Sequence, residues 1–208
     1  AAATAGAAGE RAAVPAARVV ALVLHTLYGR VALARRAWYE RPGARRRLAR
    51  PVVSVGNLSV GGTGKTPLVA AIAAWLVAEG ERPAILSRGY ARPISDAAPT
   101  VVSNGREVLV DAVRAGDEPL MLARAVPGAS VVVAADRHAA GTLAEQALGA
   151  TVHVLDDGFQ HHALARDLDI VVTAAGAIAT DAVLPKGRLR EPVAALTRAD
   201  VLVVVGGS

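Results

Sequence analysis

Pro51-Val52-Val53-Ser54-Val55-Gly56-Asn57-Leu58-Ser59-Val60-Gly61-Gly62-Thr63-Gly64-Lys65-Thr66 runs from an apolar stretch through a glycine-rich turn into a segment of helical pattern. Strand, loop and helix in that order are the surroundings a phosphate-binding loop requires. Glycines at 61, 62 and 64 let the backbone turn its N–H groups inward around a β-phosphate, and the following helix aims its positive N-terminal end at the same anion. Lys65 is placed to reach the β- and γ-phosphates, and Thr66 to hold Mg²⁺ through its hydroxyl. Ser59 stands where the generic pattern has glycine, so the strict match covers the Gly-Lys-Thr end and its spacing. The expected nucleotide-binding set is Ser59, Val60, Gly61, Gly62, Thr63, Gly64, Lys65 and Thr66.

With 208 residues, 53% of them hydrophobic, the chain can bury a sizeable core. That length suits one α/β domain with an extra segment. The absence of cysteine excludes disulfides, thiolate metal sites and thiol nucleophiles. The formal charge of +5 is unevenly placed, because residues 1–50 hold ten arginines against Glu10 and Glu40. Such a bias marks an anionic partner, nucleic acid or phospholipid. Aromatic residues make up only 3% of the chain, too few for a single-strand nucleic-acid stacking platform.

Residues 1–13 read as a disordered start, 14–50 as an amphipathic basic segment and 51–208 as the core. On a helical wheel Val20, Leu24, Leu27, Val31, Ala34 and Trp38 share one side, with Arg18, His25, Gly29 and Arg36 opposite. The longest apolar run there, 19–24, is far too short to span a bilayer. Arg45, Arg46, Arg47 and Arg50 add a basic patch suited to anionic headgroups. Two readings stay open: the apolar stripe lies in a membrane surface, or it packs against the domain.

Beyond the loop, helices are expected over 67–79, 118–125 and 137–148, and strands over 84–87, 130–134, 152–155, 169–173 and 201–205. Short Val-rich runs between helices point to parallel strands buried on both faces, in a sheet flanked by helices. Asn104-Gly105 between 100–103 and 107–111 predicts a small antiparallel hairpin.

Asp156 and Asp157 end a buried strand at the edge where doubly wound sheets bind ligands. A phosphate-loop enzyme needs an acid there for Mg²⁺, with Asp156 first and Asp157 second in line. Asp117 and Glu118 stand at a helix start, where Asp117 is either a cap or a general base and Glu118 lies near the metal. Arg88, Arg190 and neighbouring basic residues follow strands or turns, with no role assignable from spacing alone. His161 and His162 lack zinc-ligand spacing.

Taken together, Ser54-Val55-Gly56-Asn57, Gly61-Gly62-Thr63-Gly64-Lys65-Thr66-Pro67, Leu86-Ser87-Arg88-Gly89-Tyr90, Gly116-Asp117-Glu118-Pro119, Asp156-Asp157-Gly158-Phe159-Gln160-His161 and Leu189-Arg190-Glu191-Pro192 closely resemble the tetraacyldisaccharide 4'-kinase family of Gram-negative bacteria. The resemblance implies transfer of the γ-phosphoryl of ATP, with Mg²⁺, to the 4'-hydroxyl of an acylated glucosamine disaccharide 1-phosphate, giving lipid IVA. It implies Asp117 as catalytic base, and Arg88, Arg190 and Glu191 around the substrate phosphate and nucleotide. It favours a peripheral protein on the cytoplasmic face of the inner membrane, held by the N-terminal helix, with no nucleic-acid partner. Ala91 follows Tyr90 where the family commonly has glycine. The family's second, C-terminal lobe has no counterpart before Ser208, so weak or absent activity is expected of this stretch alone. The alternative is a regulatory or metallochaperone NTPase that hydrolyses nucleotide without a lipid acceptor. A basic binding module without chemistry would leave the Gly-Lys-Thr loop unexplained.

Overall fold

The computed structural model describes residues 30–32, 34–62, 64–89, 98–176 and 182–206. Its centre is a seven-stranded sheet, with β1 Val52–Gly56, β2 Pro83–Ser87, β3 Thr100–Asn104, β4 Ser130–Val133, β5 Val152–Asp156, β6 Leu168–Ala174 and β7 Val201–Val205. The spatial order is β3-β4-β2-β5-β1-β6-β7, parallel throughout except for β3 at one edge. The expected phosphate-loop architecture of a mostly parallel sheet between helices is what forms.

Alternation along the strands explains the layers. Val55, Ile85, Val131, Val133, Val154 and Val172 face one side, where they pack on α1 (Lys65–Ala78), α2 (Ala112–Ala115) and α3 (Asp117–Ala125). Val52, Ala84, Leu86, Val132 and Leu155 face the other side, covered by α4 (Arg137–Leu148) and Leu48. α4 starts at an Asp136 cap that accepts from the His138 and Ala139 N–H groups, and stops at Gly149 with φ 66°. A third cluster forms where Leu58, Phe159, Val171, Leu189 and Ala195 meet beneath a 3₁₀ helix, Val193–Arg198.

The predicted hairpin is only partly present. β3 pairs with β4, and the arm 107–111 contributes one bridge, Ser103 to Val108, with Leu109 N–H donating to Val102 O at 2.8 Å. β3 thus uses both of its edges, β4 holding one along its length and the returning arm touching the other near the turn.

The basic segment also departs from expectation. Arg46 pairs with Asp136 and Arg47 with Asp167, and Arg46 makes a parallel bridge with Leu164. Two of the four arginines assigned to a headgroup patch therefore also fasten 44–50 to the core. Ahead of them, residues 30–32 and 34–39 are helical; earlier positions, including residues 1–13 and the stripe residues Val20, Leu24 and Leu27, lie outside the described residues. Val31 and Trp38 are 58% and 57% exposed, so this end of the apolar stripe does not pack on the domain. No helix among the described residues is long and apolar enough to cross a membrane.

One close approach ties the site together. A Cβ on Gly56 would lie 2.5 Å from Phe159 Cβ and 2.7 Å from Phe159 N. Only glycine lets the end of β1 sit this close to the loop that follows β5.

Candidate active site

β1 and β5 are neighbours, with Val55 opposite Asp156, so the loops leaving their carboxyl ends emerge side by side. The start of the glycine loop is stitched to residues 188–190: Val60 N–H donates to Arg188 O at 2.8 Å, Arg190 N–H donates to Leu58 O at 2.6 Å, and Ser59 bridges Leu189. Gly61 and Gly64 adopt φ of 115° and 77°, and Cβ positions built on Gly61 and Gly62 meet nothing within 4 Å. Thr63 lies outside the described residues. α1 then begins at Lys65 with no side-chain cap and no acid in its first turn. The first N–H groups of an uncapped helix are donors in want of an anion.

In a regular strand, Asp156 and Asp157 would point to opposite faces. Asp157 breaks the alternation with φ 54°, a left-handed conformation that Asp tolerates better than most residues. Its carboxylate meets Lys65 Nζ at 3.1 Å and Arg190 Nη1 at 2.6 Å. Burial alone would raise its pKa, but the charges of Lys65 and Arg190 outweigh burial and hold it below the usual range. Gln160 completes the group, donating to Asn57 O at 2.9 Å and accepting from Arg190 at 3.3 Å.

Asp156, 3% exposed, faces the α1 side, where Ser87 Oγ donates to its Oδ2 at 3.2 Å. Its Oδ1 is buried with no hydrogen-bond partner. Burial, reinforced by the charges of Glu118 and Asp157, pushes its pKa up to about 6. Thr66 Oγ1 donates to Glu118, so a hydroxyl, two mutually repelling acids and an unpaired buried oxygen adjoin one another. This fits Mg²⁺, which takes one or two protein ligands and fills its remaining positions with phosphate and water. Among the described residues no three His, Asp or Glu side chains form a cluster that could hold a metal ion by themselves.

The raised pKa makes Asp156 a stability liability in the metal-free protein. The native state binds a proton more tightly than the unfolded chain, so stability falls as pH rises from about 4 to about 6 and stays lowered above that. Asp156→Asn keeps an acceptor for Ser87 and removes the charge. In EDTA at pH 7.5 it should be more stable than wild type by on the order of 2–3 kcal/mol. At pH 4 the two should melt together, and thermal unfolding at both pH values checks this.

Asp117 is the first residue of α3, while Gly116, at φ 82°, is the N-cap. The capping role is thus taken by Gly116. Asp117 is exposed at the mouth of an open groove of about 630 Å³ that it shares with Leu120, Met121 and Arg124. Its neighbour Glu118 reaches Thr66, which places this helix start beside the glycine loop.

Arg88 and Arg190 line a separate cavity of about 210 Å³. Arg35, Arg137 and His161, to which the sequence assigned no role, line it too. Arg137 is only 4% exposed, its Nε has no partner, and burial with the nearby Arg88 charge pushes its pKa down to about 10. Burial and the Arg137 charge push His161 down to about 4, so it is neutral at physiological pH. Glu191 does not join this group. It is 5% exposed and accepts from Arg198 Nη2 at 2.6 Å, with His162 Nε2 at 3.8 Å. Glu191 thus faces Arg198 and His162 and does not line this cavity.

The arrangement has known relatives. The family described as Tetraacyldisaccharide-1-P 4'-kinase matches residues 17–208. A tetraacyldisaccharide 4'-kinase of Geobacter metallireducens is 52% identical over 159 residues, covering 76% of this chain and 47% of the relative. That of Geobacter sulfurreducens is 46% identical over 193 residues, covering 90% and 54%. A crystal structure of LpxK from Aquifex aeolicus in complex with ATP superposes with a TM-score of 0.83 at 40% identity, covering 91% of this chain and 59% of that one. The chain spans about half the length of the curated relatives it matches. Fold and sequence agree, and the chain belongs to the tetraacyldisaccharide-1-phosphate 4'-kinase family.

Proposed function

We propose that this chain carries the nucleotide half of an ATP-dependent kinase that phosphorylates the 4'-hydroxyl of tetraacyldisaccharide 1-phosphate. One observation carries the proposal: Lys65, Asp157 and Arg190 converge at the head of an uncapped α1, beside the unpaired carboxylate of Asp156 and the Thr66–Glu118 pair. That is a positively charged, preorganised seat for a triphosphate, with acids placed for its metal.

In this mechanism the loop amides that follow Val60, up to Thr66, and the N-terminus of α1 hold the β- and γ-phosphates, and Lys65 leaves Asp157 to neutralise them. Thr66 and Asp156, with Glu118 and Asp157 around them, would hold Mg²⁺, which supplies charge neutralisation across the phosphates when bound. Asp117 accepts the proton of the attacking hydroxyl from the open groove. Arg88 and Arg190, with Arg137 behind them, offer an anionic substrate group a cationic wall. The exposed Val31 and Trp38 support an apolar face of the N-terminal segment in the headgroup layer, bringing the site to a substrate whose acyl chains stay in the bilayer. This would be a peripheral protein at the cytoplasmic face of the inner membrane.

The test is transfer from γ-labelled ATP to the lipid disaccharide, by this chain alone and within its full reading frame. Label in the lipid, dependent on Mg²⁺, is the expected result. Phosphate release without lipid labelling would replace the kinase by a hydrolytic NTPase.

A further inference from the structure

The loop after β5 turns three carbonyls inward, those of Gly158, Phe159 and His161. All three face one donor, Arg166 Nη1, at 3.1, 3.4 and 3.3 Å. Arg166 Nε lies 2.9 Å from Asp169 Oδ2, and the two side chains are 4% and 8% exposed. A planar guanidinium can serve several acceptors and a carboxylate at once, which a lysine ammonium at the same position cannot match. On the outer side of the same loop, Asp157 meets Lys65 and Arg190, Gln160 meets Asn57 O and Arg190, and His161 lines the cationic cavity.

We propose that Arg166 is a positioning residue for phosphoryl transfer: through these three carbonyls it sets where Asp157, Gln160 and His161 stand, without itself touching nucleotide or acceptor. The proposal rests on the kinase reading above. Loss of the guanidinium would let the loop relax, and a shift of about 1 Å in a catalytic geometry costs about a hundredfold in rate. Asp157 is the sensitive point, because it directly precedes Gly158 and already holds a left-handed φ. Gln160 carries the displacement to the start of the glycine loop through Asn57.

The experiment uses the chain in its full reading frame, with Arg166→Ala and Arg166→Lys assayed well below their unfolding midpoints and rates expressed per folded molecule. Both should lose about a hundredfold in kcat, with KM for ATP moving less than about threefold. Millimolar guanidinium ion should restore the kcat of Arg166→Ala by at least about tenfold, while tetramethylammonium should not. A purely structural arginine would give fewer folded molecules of normal kcat. Turnover within about threefold of wild type, or a folded Arg166→Ala that guanidinium does not restore, overturns the proposal. If the alanine variant does not fold, the kcat of Arg166→Lys decides it in the same way. Wild-type protein unable to transfer phosphate strikes the kinase reading, and this proposal falls with it. Transfer by wild type and both variants alike strikes this proposal alone.

Discussion

Replacing Lys65 with alanine is expected to lower phosphoryl transfer by about a thousandfold while leaving the protein folded. Lys65 is the first residue of α1, its side chain is 11% exposed, and its ammonium sits 3.1 Å from Asp157. In the variant Asp157 keeps Arg190 at 2.6 Å, while Asp156 loses the favourable charge of Lys65 and is held in its protonated form more readily, so the fold is kept. The glycine-loop amides and the head of α1 still bind phosphate, so affinity for ATP should fall only by about ten- to a hundredfold, the worth of one hydrogen bond to a charged group. The larger loss in turnover reflects charge that develops on the phosphates in the transition state, where a preorganised cation counts most. Single-turnover kinetics with labelled ATP, alongside equilibrium nucleotide binding, separate the two effects. Normal turnover in this variant would remove the loop from the mechanism.

The pairing of Lys65 with Asp157 also shows where sequence reading succeeds and where it stops. The loop was legible because its chemistry is local: glycines where the backbone must turn, a lysine at the helix start, a strand before it. The order of strands and helices was legible for a similar reason, since a Val-rich run such as 201–205 or 130–133 has few alternatives to a strand. Helix limits came within two residues for α1 and matched for α4, because Gly80 and Gly149 mark the stops locally.

What could not be read was decided by partners far away in the chain. Arg46 and Arg47 looked like free surface charge, yet their carboxylates come from positions 136 and 167. Arg137 and Arg166 are buried arginines, which a composition of charges cannot distinguish from solvated ones. Arg190 and Glu191 were expected around the substrate phosphate and nucleotide from the family resemblance alone. Arg190 turns to Asp157 while Glu191 turns inward to Arg198. Asp157 departs from alternation only through its left-handed φ, which a following glycine hints at but does not dictate.

Asp117→Asn should be the second large effect, and the cleanest, because the carboxylate has little to do with holding the fold. Gly116 caps α3, and Asp117 is exposed, with no hydrogen bond among those that build the helix start. Its structural worth is limited to the favourable placing of an acid in a first turn, about 0.3–1 kcal/mol. As a general base it should be worth about a hundred- to ten-thousandfold in kcat. The contrast with Glu118 sharpens the test. Glu118 holds Thr66, so Glu118→Gln should weaken the apparent affinity for Mg²⁺, whereas Asp117→Asn should leave both Mg²⁺ and ATP dependence near wild type. Loss of kcat with unchanged KM for ATP and a melting point lowered by no more than about 4 °C is the signature of a group acting only in the chemical step. If Asp117→Asn turns over normally, the proton must leave the hydroxyl by another route, and Asp117 is no more than the first residue of its helix.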